Sequence, residues 1–242
     1  MEADKIIDLI SHVRTDYILE LFKHPNWKEI LPLGQVKPLQ WLVYYNDLTG
    51  LKAVLNEGGS LESINLNHEL GSAAFFGHWK VCDFLINNGA DVNAYVEKTN
   101  ETPIHNALSK AGRPYYFYVV KLLLDKGANV NAKTIAGAES EAFMRDVRTK
   151  GETPLHRAAA YADEKTISCL LDNGADKTIK DAYGNSPLSW ASEHLRPGAI
   201  LSLLTYDGFQ ISDLNKTTNL SDHGQGWGNS MDWKLLGEYL PE

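Results

Sequence analysis

GETPLHRAAAYADEKTISCLLDNGAD, Gly151 to Asp176, decides how the rest of the chain is read. It holds a histidine, an arginine, a cysteine and several acids, the raw material of a catalytic cluster. It also holds Thr153-Pro154-Leu155-His156 at one end and Gly174 at the other, with two helical apolar runs between them. Working outward from this stretch separates the two readings, because a scaffold repeats and a catalytic cluster does not.

Thr102-Pro103-Ile104-His105 repeats the opening, Ser186-Pro187-Leu188-Ser189 and Lys37-Pro38-Leu39-Gln40 are looser copies, and HELGSAAFFGH from His68 keeps only its small residues and its Gly-His pair. Glycines close the units at 58, 89, 127 and 174. Opening to closing takes 21 residues in three units (37 to 58, 68 to 89, 153 to 174) and 25 in the unit from 102 to 127. The openings lie 31, 34, 51 and 33 residues apart. Thr or Ser suits an N-cap, Pro suits the first helical turn, and Gly suits the left-handed residue at a helix end. Each unit therefore predicts a short inner helix, with small residues such as Ala158 and Ala159 for close stacking, followed by an apolar outer helix.

A period near 33 with this pattern resembles the ankyrin repeat. The resemblance covers about residues 35–209. It implies an all-α fold, an α-solenoid of about five repeats with short β-hairpin connections and helical end caps. The expected division is an N-terminal helical cap over 1–34, five repeats over 35–209, and an irregular C-terminal capping segment over 210–242. The cap reads as two amphipathic helices, with Ile6, Ile7, Leu9, Ile10 and Val13 on one stripe and Tyr17, Ile18, Leu19, Leu21 and Phe22 on the other. Insertions fall at about 109–117, where Tyr115 to Tyr118 place four aromatics in a row, and at 134–150, where GAESEAFMRDV favours a short helix with Phe143, Met144 and Val147 on its apolar side. Long additions to a regular scaffold tend to carry function.

The resemblance makes His105 and His156 structural, bonded to neighbouring backbone, and implies no catalytic residue, cofactor or metal site. No HExxH or zinc-type Cys/His spacing occurs. Cys82 and Cys169 sit in apolar helical runs, as small buried hydrophobes do. An enzyme built from Glu139, Glu141, Asp146, Asp222 and His223 is the remaining catalytic reading, and no spacing supports it.

What the resemblance implies instead is non-catalytic protein binding through the concave groove and hairpins. The positions that face such a groove are Trp41, Tyr44, Tyr45, Phe75, Phe76, Lys110, Arg157, Tyr161 and Trp190, with Phe143 and Met144 added by the second insertion. Trp, Tyr and Arg dominate interface energetics. With 31 acidic against 23 basic residues the chain carries a net −8, and no basic stripe appears. Nucleic acid is excluded as an expected partner, and a protein with a basic surface is favoured. No run reaches the about 18 apolar residues of a membrane span, and the N-terminus lacks the basic start of an export signal. The expectation is a cytoplasmic monomer that binds a protein of unknown identity. A dedicated inhibitor or immunity-type protein, or a secreted effector acting in a host cytosol, stands as the alternative.

Overall fold

The computed structural model describes residues 2–33, 35–109, 116–140 and 148–208. The expected C-terminal cap, Lys110, Phe143 and Met144 lie outside them. Helices α1 (Ala3–Ser11), α2 (Ile18–Leu21) and α3 (Trp27–Ile30) come first, with a 3-10 turn at Thr15–Tyr17. Ten further helices form five successive pairs among the described residues: α4 (Pro38–Tyr44) with α5 (Leu48–Asn56), α6 (Leu66–Phe76) with α7 (Trp79–Asn87), α8 (Pro103–Ala107) with α9 (Tyr116–Asp125), α10 (Pro154–Tyr161) with α11 (Glu164–Asp172), and α12 (Pro187–Glu193) with α13 (Gly198–Leu204).

The repeated residues do the local work expected of them. Thr102 and Thr153 cap α8 and α10 with Pro at the first turn, and the His105 and His156 rings accept from the cap N–H at 3.2 and 3.1 Å. Gly58, Gly89, Gly127 and Gly174 all take positive φ, between 74° and 103°. This lets the next amide reach back to the last turn of the outer helix, as in Ala90 N to Leu85 O (3.0 Å) and Ala175 N to Leu170 O (3.0 Å). The second pair departs from the expected register. Its inner helix is capped at Asn65, whose side chain accepts from the Asn67 and His68 amides, so it begins before the position aligned at His68.

Inner helices α4, α6, α8, α10 and α12 pack in sequence, and so do the outer helices. One core runs through them, from Ile6 and Ile10 through Leu42, Leu70 and Ile104 to Leu155, Leu188 and Leu204. The N-terminal segment joins it through Ile6, Ile10, Ile18, Leu21 and Trp27, but Val13 and Leu19 are exposed. Val13 adopts φ 75° just after α1 ends, so the first stripe stops at Ile10 and the second helix is broken into short turns. Connections between pairs are turns, and an isolated bridge between Glu139 and Arg148 is the β pairing present among the described residues.

Asparagine side chains stitch successive turns together. Asn93 donates to Gly127 O at 3.0 Å and accepts from Asn129 N at 2.7 Å. Asn131 repeats the clamp one unit on, with Gly174 O at 2.9 Å and Asp176 N at 2.9 Å. Each clamp fixes the spacing between neighbouring turns, and hence the frame on which the groove-facing side chains stand.

Candidate functional site

The ends of α4 and α6 carry consecutive aromatics, and helical spacing brings them edge to face. Trp41 stacks on Tyr45 (centroids 5.7 Å, 15° between planes), Tyr44 meets Tyr45 at 5.0 Å and Phe76 at 5.0 Å, and Phe75 meets Phe76 at 5.1 Å. His78 stacks on Phe76 at 5.7 Å and bonds the Tyr44 carbonyl at 3.1 Å, while burial lowers its pKa. The rings are held from behind: Tyr45 donates to Ser11 O at 2.7 Å, and the Tyr116 hydroxyl donates to Phe75 O. Tyr44 stays 46% exposed. Five of the expected residues thus form one continuous ladder across the first two pairs.

Beside the ladder lies an open groove of about 650 Å³. Phe75, Phe76, Val96 and Pro103 give it apolar walls, and Asn67, Asp91 and Tyr95 stand at its polar side. Tyr95 is 62% exposed.

The fourth and fifth pairs are built differently. Arg157 and Trp190, expected to face a partner, are 0% and 1% exposed, which removes them from any binding surface. Arg157 uses all five of its N–H donors inside the protein. Nη2 reaches Glu101 Oε1 at 2.7 Å and Glu152 Oε1 at 2.6 Å, Nε reaches the same Glu152 oxygen at 2.9 Å, and Nη1 reaches His105 O at 3.0 Å and Ser109 Oγ at 3.3 Å. Burial opposes the ionised form of Glu152, but Arg157, the Thr134 hydroxyl and the Lys150 amide outweigh it and hold that carboxyl at about 2. Trp190 donates to Asp181 at 2.9 Å, and the Lys150 ammonium sits 5.1 Å over its ring. Tyr161 is half-buried against His194, with centroids 5.2 Å apart.

Against Arg157 and Trp190 lies the second insertion, through Glu152 and Lys150. Residues 134–140 and 148–152 run together as an arm: Thr134 N bonds Glu152 O at 3.0 Å, Gly137 N bonds Thr149 O at 2.7 Å, and Thr149 N bonds Ala138 O at 2.9 Å. Paired backbone replaces the expected helix over Gly137–Ser140. The arm is sewn to both neighbouring turns, through Ile135 N to Thr99 O (2.8 Å) and Ala182 N to Lys150 O (2.9 Å), and Ser140 donates to Glu101 at 2.7 Å.

A family model described as ankyrin repeats in three copies matches residues 39–134 and 135–216. The chain belongs to the ankyrin repeat family. It is 35% identical over 108 residues to human rabankyrin-5, an overlap of 43% of this chain and 8% of that protein. A putative ankyrin repeat protein of Rickettsia felis is 36% identical over 119 residues, 46% of this chain and 44% of the relative. One from Rickettsia bellii is 28% identical over 181 residues, 73% and 65% respectively. The chain therefore spans less than half of the first two relatives.

Ankyrin repeats are generally protein–protein interaction modules, and the family is typically non-catalytic; stacked repeats provide extended surfaces for a partner. Among the described residues no group of three or more His, Cys, Asp or Glu could hold a metal, and no helix is long and apolar enough to cross a membrane. His156 behaves as an ankyrin scaffold histidine, its Nε2 bonded to Asn185 O at 3.1 Å. Tyr95 belongs to the hairpins expected to form the rim of the groove, and the structure places it in the groove lining. Asp91 was missed, visible only as part of a repeated turn motif.

Proposed function

We propose that the protein is a recognition module that holds a segment of a partner protein in the groove of its first three repeats, with Tyr44, Phe75, Phe76 and Tyr95 as contacts. The observation that carries this reading is the contrast between two stretches of inner helix. The arm already engages Arg157 of α10 and Trp190 of α12, whereas the aromatic ladder of α4 and α6 borders an open groove. Rings preorganised by one another and by Ser11 lose little conformational freedom on docking, which lowers the entropic cost of binding. A partner with basic side chains suits the net charge of −8. A cytoplasmic setting belongs to the same proposal.

The test is paired capture from native lysate. Tyr44→Ala/Phe76→Ala should lose a partner that wild type retains, and Tyr161→Ala should keep it, each bait having wild-type helix content by circular dichroism. Capture that survives the first variant and fails with the second would move the site to the last two repeats.

A further inference from the structure

The groove's chemistry narrows its occupant. Among the described residues that line it there is neither Lys nor Arg, and two carboxylates are present, Glu101 and Asp91. Glu101 is already committed to Arg157 and Ser140. Asp91 is exposed, and its Oδ1 accepts from Asn93 N at 2.9 Å. No hydrogen bond or ion pair to its Oδ2 occurs among the described residues, so this oxygen is open to a donor. A second acceptor lies at the floor: Asn106 donates to Gly71 O at 3.3 Å, while its Oδ1 is buried without a donor. A buried acceptor left unpaired costs free energy that an incoming N–H would recover. The same groove is lined by the Phe75, Phe76 and Tyr95 rings, and aromatic faces attract a cation.

Resting on the groove reading above, we propose that the anchor is an arginine side chain of an extended partner segment. Its aliphatic stem lies along Phe75 and Phe76, and its guanidinium serves Asp91 Oδ2 and the Asn106 side. A neutral apolar side chain would satisfy the rings and leave both oxygens unpaired. An acidic one would meet the Asp91 carboxylate. A lysine offers a point charge, whereas the planar guanidinium stacks on rings and donates in several directions at once.

The experiment uses the full chain labelled with 15N and two probes that differ only at the end of the side chain, N-acetyl-arginine amide and N-acetyl-citrulline amide. The arginine probe should produce saturable shifts at the Asn67, Phe76 and Tyr95 amides, and the neutral isostere should bind about fivefold or more weakly, the size expected for one exposed charge pair. Asp91→Asn keeps an Oδ1 to accept the Asn93 amide, so the turn persists, and it should make the two probes bind alike. Equal binding of both probes to wild type overturns the arginine assignment and leaves the groove reading standing. Absence of saturable shifts at those amides, or an Asp91→Asn chain that still prefers arginine, also overturns it. Failure of the groove itself is read separately, by the Tyr44→Ala/Phe76→Ala capture.

Discussion

The same repeat position has opposite fates in the two halves of this molecule. The residue after the TPLH histidine position is Trp41 in the first repeat, Asn106 in the third, Arg157 in the fourth and Trp190 in the fifth. Trp41 is half-buried in a ladder of rings at the surface, and Asn106 lines the groove. Arg157 and Trp190 are buried, with the arm against them. The repeat sets where each side chain leaves the scaffold. What it then meets depends on its neighbours: stacked rings for Trp41, the carboxylates of Glu101 and Glu152 for Arg157. On the proposed reading one half keeps its inner face for a partner, whereas in the other Glu152 and Lys150 of the chain's own arm lie against Arg157 and Trp190.

The largest test of this contrast removes Arg157. Arg157→Met leaves Glu101 and Glu152 buried without their cation, which costs about 3–5 kcal/mol in comparable sites. Phe76→Ala, in the half-exposed ladder, should cost about 1–2 kcal/mol through lost apolar contact. Urea titrations followed by circular dichroism compare the two directly. Adding Glu101→Gln and Glu152→Gln to Arg157→Met should recover much of the loss, because the penalty lies in unpaired charge rather than in lost volume. Equal costs for Arg157→Met and Phe76→Ala would erase the distinction between the halves.

Acid sharpens the comparison next. His105 and His156 belong to the third and fourth repeats, and burial lowers both rings to about 4 from the ordinary 6.5. Between those values the unfolded chain binds more protons than the folded one. The stabilisation is therefore complete above about pH 6.5 and is lost as pH falls toward 4, on the order of 3 kcal/mol for each ring. Glu152 stays ionised through that window, so the ion cluster does not compensate. The first repeat has Gln40 where these histidines stand, and its side chain does not titrate. Hydrogen exchange at pH 5 should show α8 and α10 losing protection before α4. His105→Gln/His156→Gln, though less stable at pH 7, should flatten the slope between pH 7 and 5. An unchanged slope in that variant would show that other groups carry the acid response.

How much of this was legible follows the range of the interactions. Thr153-Pro154 and Gly174 act within their own helices, so cap, first turn and stop could be read residue by residue. The ladder was legible too, since Tyr44, Tyr45, Phe75 and Phe76 sit at equivalent helix ends and their spacing alone brings them together. Arg157 was misread because its partner Glu101 lies 56 residues away and Ser140 reaches that carboxylate from within an insertion. Nothing in the helical period of α10 reports what an arm from another unit will cover. Of GAESEAFMRDV, whose composition suits a helix, only Gly137–Ser140 lies within the described residues, and there the Thr149 amide and carbonyl pair with Ala138 and Gly137.

The smallest expected effect on stability is the most telling about function. Tyr44 is 46% exposed, and its ring contacts with Tyr45 and Phe76 are edge-on at the surface. Tyr44→Ala should therefore shift the urea midpoint by an amount equivalent to less than about 1 kcal/mol. If the ladder serves only to pack repeats, partner capture should change as little. If it is an anchor, capture should weaken at least about tenfold, since a central aromatic hot spot is worth about 2 kcal/mol or more at an interface. Tyr161→Ala supplies the matched control. Its ring occupies the corresponding helix end in the fourth repeat but packs half-buried on His194, so it should lose more stability than Tyr44→Ala and less binding. The crossing of those two orders, stability one way and binding the other, is what an open half and a filled half of one solenoid require.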